Sequence, residues 1–190
     1  MLTTAMARLV DRITASMDTT ADDRGRADAA AAHLAAVLGS ADLLGADDCA
    51  PDPRCYCQHV VYVDPRARFS VVALVWLPGQ ATAIHDHACW CVVGVHRGCE
   101  EEARFRLVEG PRAPRHLQQT GSVLNDAGSV CALVPTGTDI HRVGSVAAET
   151  TISIHVYGAD IAARGSSIRI VYPETMLEPV RAADWARPAP

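Results

Sequence analysis

Residues 85–91 read His-Asp-His-Ala-Cys-Trp-Cys. Histidine, aspartate and cysteine all bind metals, so the stretch raises the question of which side chains could share an ion. In a strand, successive side chains point to opposite faces. His85 and His87 then share a face and Asp86 points away, which argues against Asp86 as a ligand of the same site. A third histidine, His141, closes the stretch PTGTDIH (135–141), just after a Pro-x-Gly turn. Three neutral imidazoles suit Fe, Zn, Cu or Ni. An H-x-H alone is short enough to arise by chance, so its weight rests on what surrounds it.

A second constellation lies in SIHVYG (153–158). Ser153, His155 and Tyr157 stand at i, i+2 and i+4, on one face of a strand. In physical terms that is a hydrogen-bonding chain a few residues long. Alone, it would read as the polar face of an edge strand.

GQATAIHDH (79–87) has the form G-x5-H-x-H and PTGTDIH the form P-x-G-x3-H. These resemble the two sequence motifs of the cupin superfamily, and the resemblance covers roughly residues 56–158. It implies a mainly β fold, the double-stranded β-helix or jelly-roll barrel. Many cupins place a metal-binding glutamate four or five residues after the second histidine, where this chain has Cys91 and Val92. With the Ser-x-His-x-Tyr pattern added, the chain is similar to the thiol dioxygenases, the family of cysteine dioxygenase and 3-mercaptopropionate dioxygenase. That resemblance implies non-haem Fe(II) held by His85, His87 and His141. It implies a small carboxylated thiol and O2 as reactants and a sulfinic acid as product, one rung of the thiol oxidation ladder. Tyr157 would face the reacting atoms, His155 would orient Tyr157, and Ser153 would orient His155.

The resemblance also points to substrate residues. A carboxylate calls for a cation, and arginine offers a two-pronged hydrogen-bonding fork. Animal cysteine dioxygenases carry an arginine after a tyrosine like Tyr56; here that region has Gln58, as in the mercaptopropionate enzymes. Those use an arginine near an Arg-x-x-Tyr ending, which matches Arg169 in IRIVY (168–172), with Arg164 as the competitor. In the animal enzymes a cysteine after the metal histidines forms a thioether to the active-site tyrosine. Cys91 lies six residues after His85, on the same face if the strand is unbroken, and is expected to face Tyr157. Two other readings compete: a non-catalytic cupin that binds or senses a ligand, and a cupin enzyme using another metal.

The elements that must position these residues follow from pattern. Leu2, Met6, Leu9, Val10 and Ile13 recur at helical spacing in 2–17, and Ala27, Ala30, Ala31, Leu34, Val37 and Leu38 in 27–38. Thr19 or Thr20 is expected to cap the second helix and Gly39 to end it. After residue 55, six short β-branched runs (58–64, 69–77, 91–98, 103–108, 129–135 and 150–158) alternate with turn signals. The whole reads as one cupin domain over 1–190: a helical extension to residue 45, a barrel over 56–158 and a C-terminal segment over 159–190 with an irregular tail.

Composition narrows the class. Seventeen basic against 22 acidic residues, a net charge of −5 and no basic stripe argue against nucleic acid as a partner. The longest strongly apolar run, VVALVWL (71–77), is too short to span a bilayer. The first residues lack the apolar core of a signal peptide, so cysteines reduced in the cytoplasm are expected. Cys55-x-Cys57 has no second pair and does not read as a zinc site. The sequence leaves the oligomeric state open.

Overall fold

The computed structural model of the protein describes residues 1–110 and 113–178. Helix α1 (Thr4–Thr19) begins where the Thr3 hydroxyl accepts a hydrogen bond from the Met6 N–H at 3.2 Å. Such a cap satisfies one of the free N–H groups of the first turn. The helix buries Met6, Leu9, Val10, Ile13 and Met17 along one stripe. Helix α2 (Asp23–Ala35) is capped by Asp22, whose carboxylate accepts from the Gly25 N–H at 2.7 Å. The expected cap at Thr19 or Thr20 is therefore displaced, because Thr19 still belongs to α1. The helix also stops short of Gly39, which lies in the following turn with φ of 81°.

Ten strands follow among the described residues: β1 (Cys57–Val63), β2 (Ser70–Trp76), β3 (Ile84–His87), β4 (Cys91–Arg97), β5 (Cys99–Gly110), β6 (Ala113–Asp126), β7 (Val130–Leu133), β8 (Ile140–Ser145), β9 (Thr151–Tyr157) and β10 (Ile168–Tyr172). They form two five-stranded sheets, ordered β1-β2-β9-β4-β7 and β10-β3-β8-β5-β6, with every pairing of neighbours antiparallel. The chain passes back and forth between the sheets, giving the double-stranded β-helix that the motifs imply. A short helix, α3 (Ile161–Arg164), joins β9 to β10.

Strands β2 and β9 are buried at every position and β4 over most of its length. Their outward side chains, Val71, Ala73, Val92, Ile154 and Val156, pack under α1 and α2 with Trp90. Their inward side chains, Val72, Leu74, Trp76, Cys91, Val93 and Tyr157, line the barrel. That two-sided burial explains the nearly continuous apolar runs. Burying each large side chain contributes about 1.5–3 kcal/mol. Trp90 thus sits in the outer core, 2% exposed, and not on the barrel lining.

β3, β6, β8 and β10 lie outside the six expected runs, and β5 starts earlier than expected. β5 begins at Cys99, well before residue 103, and so includes Glu100, Glu101 and Glu102. Glu100 and Glu102 are buried while Glu101 is exposed, so the run alternates between barrel interior and solvent. β6 pairs along β5 in a long hairpin and lacks an apolar run, with Leu117 its wholly buried residue. In the C-terminal segment, the described part after β10 holds a single 3-10 turn at Glu174–Met176; the rest of the expected irregular tail, 179–190, lies outside the described residues.

Candidate metal centre

β3 points His85 and His87 into the barrel, and its antiparallel neighbour β8 sets His141 directly opposite His85. The ring centroids are 5.1 Å apart for His85–His87, 4.7 Å for His85–His141 and 4.8 Å for His87–His141. One ring nitrogen from each lies within 4.8 Å of the others, and all three residues are buried. Among the described residues this is the only group of three or more potential metal ligands.

Each imidazole is held from behind through Nδ1. His85 donates to the Ala83 carbonyl at 2.9 Å, His87 to Asp139 Oδ2 at 3.1 Å and His141 to Glu102 Oε1 at 2.9 Å. A proton on each Nδ1 leaves the Nε2 lone pair free for a metal. Asp139 is itself fixed, since it also accepts from the His87 N–H at 3.0 Å and the Gly137 N–H at 3.2 Å. Gly137 has φ of 77°, the left-handed turn that the Pro-Thr-Gly sequence provides. Glu102 accepts from Arg104 at 2.7 Å as well. Burial pushes the Glu102 carboxyl up, but the His141 and Arg104 hydrogen bonds outweigh it and hold it at about 2. In the same way Asp139 is buried yet held well below the usual carboxylate range by His87. Burial first, and then the neighbouring His141, pushes His85 down to about 3, so it is a neutral ligand at ordinary pH. The donor set, three neutral imidazoles braced by two carboxylates that do not themselves face the centre, fits a divalent transition metal.

β9 brings the second constellation to the same place. Tyr157 Oη lies 3.0 Å from His155 Nδ1, and His155 Nε2 lies 3.0 Å from Ser153 Oγ. Trp76 Nε1 donates to that Ser153 oxygen at 3.2 Å. All four residues are buried. Burial pushes His155 down to about 3 and holds the Tyr157 phenol well above its ordinary value, so both are neutral. His85, His87, His141, His155 and Tyr157 line one enclosed pocket whose mouth is formed by Tyr56, Gln58, Ser167 and Ile168. Its free volume is about 20 Å³, enough for one or two water-sized groups. A larger open cleft of about 620 Å³ lies to the other side of His141, along Arg104, Thr136 and Asp139. The small pocket is the candidate site, because all three imidazoles and the phenol line it.

The other expected residues divide. Gln58 reaches the pocket mouth, where its amide is 3.5 Å from the Tyr56 hydroxyl. Tyr56 stacks on Trp76 with centroids 4.5 Å apart. Arg169 is not in the pocket. It sits at a bulge in β10, and its guanidinium donates to Asp86 at 2.5 Å on the far side of β3. Asp86 also accepts from the Ile170 N–H at 2.9 Å and the Tyr172 hydroxyl at 3.0 Å. Asp86 therefore points away from the imidazoles, as alternation requires, and fastens the edge strand β10 to β3. Arg164 is exposed at the end of α3 and does not line the pocket either. Cys91 is wholly buried and pairs directly with Tyr157 across β4 and β9. It does not share a strand face with His85: the chain breaks at Ala88–Trp90 and β4 lies in the other sheet.

Glu102 and Asp139 were not legible as site residues. Asp139 lies in the turn before β8, where strand alternation does not apply, and its partner is His87 of the neighbouring strand. Glu102 would need the start of β5 to be read correctly.

No protein-family model matches the chain. Solved structures resemble it at low identity. A protein with a double-stranded β-helix domain from Klebsiella pneumoniae is 19% identical over 67% of this chain and 93% of that one, with a TM-score of 0.46. An RmlC-like cupin protein from Desulfovibrio desulfuricans is 17% identical over 64% and 97%, with a TM-score of 0.45. An oxalate decarboxylase from Lactobacillus farciminis, in a formate complex, is 14% identical over 60% and 32%, with a TM-score of 0.43. Likeness this distant carries nothing about activity. The chain's own topology and side chains define a cupin-type barrel with a three-histidine cluster that can hold a metal ion.

Proposed function

We propose that the protein is an Fe(II)-dependent thiol dioxygenase, adding both atoms of O2 to the sulfur of a small thiol to give a sulfinic acid. One observation carries this reading. The Ser153–His155–Tyr157 chain ends in a phenol that lines the same enclosed pocket as three histidines with no carboxylate among them. A passive ligand pocket has no use for a neutral hydrogen-bonding chain aimed at its metal ligands.

Bound Fe(II) would supply the positions where a thiol, acidified by the cation, and O2 meet. The chain's own residues do the rest. His85, His87 and His141 hold the ion without cancelling its charge. Glu102, Asp139 and the Ala83 carbonyl fix the imidazoles. Tyr157, kept protonated by burial, acts through its O–H and not as a base. Trp76, wholly buried, and Tyr56, stacked on it, form one wall of the pocket. For a carboxylated thiol such as 3-mercaptopropionate or L-cysteine, the described mouth offers Gln58, Tyr56 and Ser167 as hydrogen-bonding groups. Gln58 is exposed, so the charge keeps its contact with water there. The pairing of Cys91 with Tyr157 supports a thioether to the phenol ring as a further part of this reading.

Iron analysis combined with an oxygen electrode tests this reading. L-cysteine, 3-mercaptopropionate, cysteamine and mercaptosuccinate should be compared. Uptake with at least one of them, lost in His141→Ala together with the iron, is expected. Iron-loaded protein that consumes no O2 with any thiol overturns it.

A further inference from the structure

Glu100 lies on β5 two residues before Glu102, with its side chain inside the barrel. It is wholly buried, and neither carboxyl oxygen has a hydrogen-bonding partner in good geometry. An unpartnered buried carboxyl is expensive, and proteins rarely keep one without a use. The polar groups facing it are Ser153 and Trp76, the inner end of the chain that leads to Tyr157. Ser145, opposite it on β8, is engaged with Thr151 at 2.9 Å.

The protons along this chain can be counted. Trp76 Nε1 can only donate, and it donates to Ser153 Oγ. Ser153 has one proton, neutral His155 has one N–H, and Tyr157 has one O–H. Two arrangements satisfy the three oxygen and nitrogen contacts. In the first, Ser153 donates to His155 Nε2, His155 Nδ1–H donates to the Tyr157 oxygen, and the Tyr157 proton is released toward the pocket, where the Ser167 hydroxyl faces it. In the second, His155 Nε2–H donates to Ser153 and Tyr157 donates to His155 Nδ1. The Ser153 proton then needs another acceptor, and Tyr157 shows the pocket only lone pairs. What lies beyond Ser153 decides between them. A protonated carboxyl gives Ser153 a proton and fits the first; an ionised one can only accept and fits the second.

We propose that Glu100 is a positioning residue that sets the direction of the Ser153–His155–Tyr157 chain. With its proton, Tyr157 is a donor to the pocket; without it, Tyr157 is an acceptor. The surroundings favour the protonated form. Glu102, on the same face of β5, is ionised and adds a like charge, while its cationic partner Arg104 is engaged with Glu102. Cys131 of β7 is a neutral thiol pushed up to about 11, and His155 of β9 is neutral. Asn125, opposite on β6, carries no charge. Burial, the largest effect, pushes Glu100 up to about 7 against the pull of Ser153 and Trp76. The reversal therefore falls near neutral pH.

The consequence for turnover rests on the dioxygenase reading, but the switch does not, and its test needs no turnover. The full-length chain, freed of metal and labelled with 15N-histidine, is titrated from mildly acid to mildly alkaline pH. Nitrogen NMR reads the His155 tautomer and infrared spectroscopy reads the carboxylic acid band of Glu100. His155 should pass from Nδ1–H to Nε2–H in step with loss of that band. In Glu100→Gln, whose amide can donate to Ser153, it should stay Nδ1–H throughout. In Ser153→Ala, the Glu100 band should titrate while His155 no longer follows. A wild-type His155 that keeps one tautomer while Glu100 titrates overturns the proposal, as does a Glu100 ionised across the whole range. The wild-type titration decides this even if a variant fails to fold. Failure of O2 uptake leaves the switch standing, and failure of the switch leaves the oxygenase reading standing.

Discussion

Cys91 and Tyr157 are directly opposed in the β4–β9 ladder, both wholly or nearly buried and both facing the barrel interior. Burial and the neighbouring Cys131 push the Cys91 thiol well above its ordinary value, so it is not a reactive thiolate at rest. Oxidation during turnover is the route to a bond. Joining Cys91 sulfur to the ring of Tyr157 releases two hydrogens, with O2 taking the electrons. After many turnovers of iron-loaded protein, peptide mass spectra should show a Cys91–Tyr157 pair lighter by those hydrogens and resistant to reductant. Only free, alkylatable Cys91 would rule the link out.

Glu102 braces His141 without touching the metal position. Carboxylates that hold a ligating histidine typically account for about 10–100-fold in metal affinity. Glu102→Gln should lose affinity in that range in competition with a chelator, while far-ultraviolet circular dichroism stays unchanged. Affinity equal to wild type would show that the contact is not needed to present Nε2.

Asp86 and Arg169 belong to the frame and not to the pocket. Asp86→Ala strips the acceptor from the Tyr172 hydroxyl and the Ile170 N–H and should destabilise the fold by about 1–3 kcal/mol, chiefly through the buried Tyr172 hydroxyl, since Ile170 is exposed. Urea unfolding measures this. Arg169→Ala should leave KM for a carboxylated thiol unchanged, and a large rise in KM would return Arg169 to the substrate.

The sequence makes the ligands legible because each depends on one strand. His85 and His87, like Ser153, His155 and Tyr157, show their common face by alternation alone. What it hides depends on pairing. Glu102 and Asp139 meet their histidines across strands or through a turn, and three glutamates in a row resemble a loop more than a strand. Arg169 is carried to Asp86 by a bulge that simple spacing does not reveal. Cys91 reaches Tyr157 by pairing across the ladder, so the expected neighbour was right while the shared strand face behind it was not. β6 was missed because its faces are largely solvated and show no apolar alternation.

Glu100 also predicts a pH-dependent stability. Its folded value of about 7 lies above the ordinary 4.5. The stability tied to its proton is therefore full below the ordinary value and lost as pH rises through the folded one. Glu100→Gln should match wild type at acid pH and gain on it through neutrality, by at most about 3 kcal/mol. Urea unfolding of both proteins on either side of pH 7 measures the gap. A gap independent of pH would mean that Glu100 does not titrate in the folded state.

The central claim is transfer of both oxygen atoms to sulfur. Iron-loaded protein given its best thiol under 18O2 should release a sulfinic acid carrying two labelled oxygens, with no external reductant consumed. Disulfide and hydrogen peroxide as the products, or a sulfinate labelled at one oxygen only, would contradict the account.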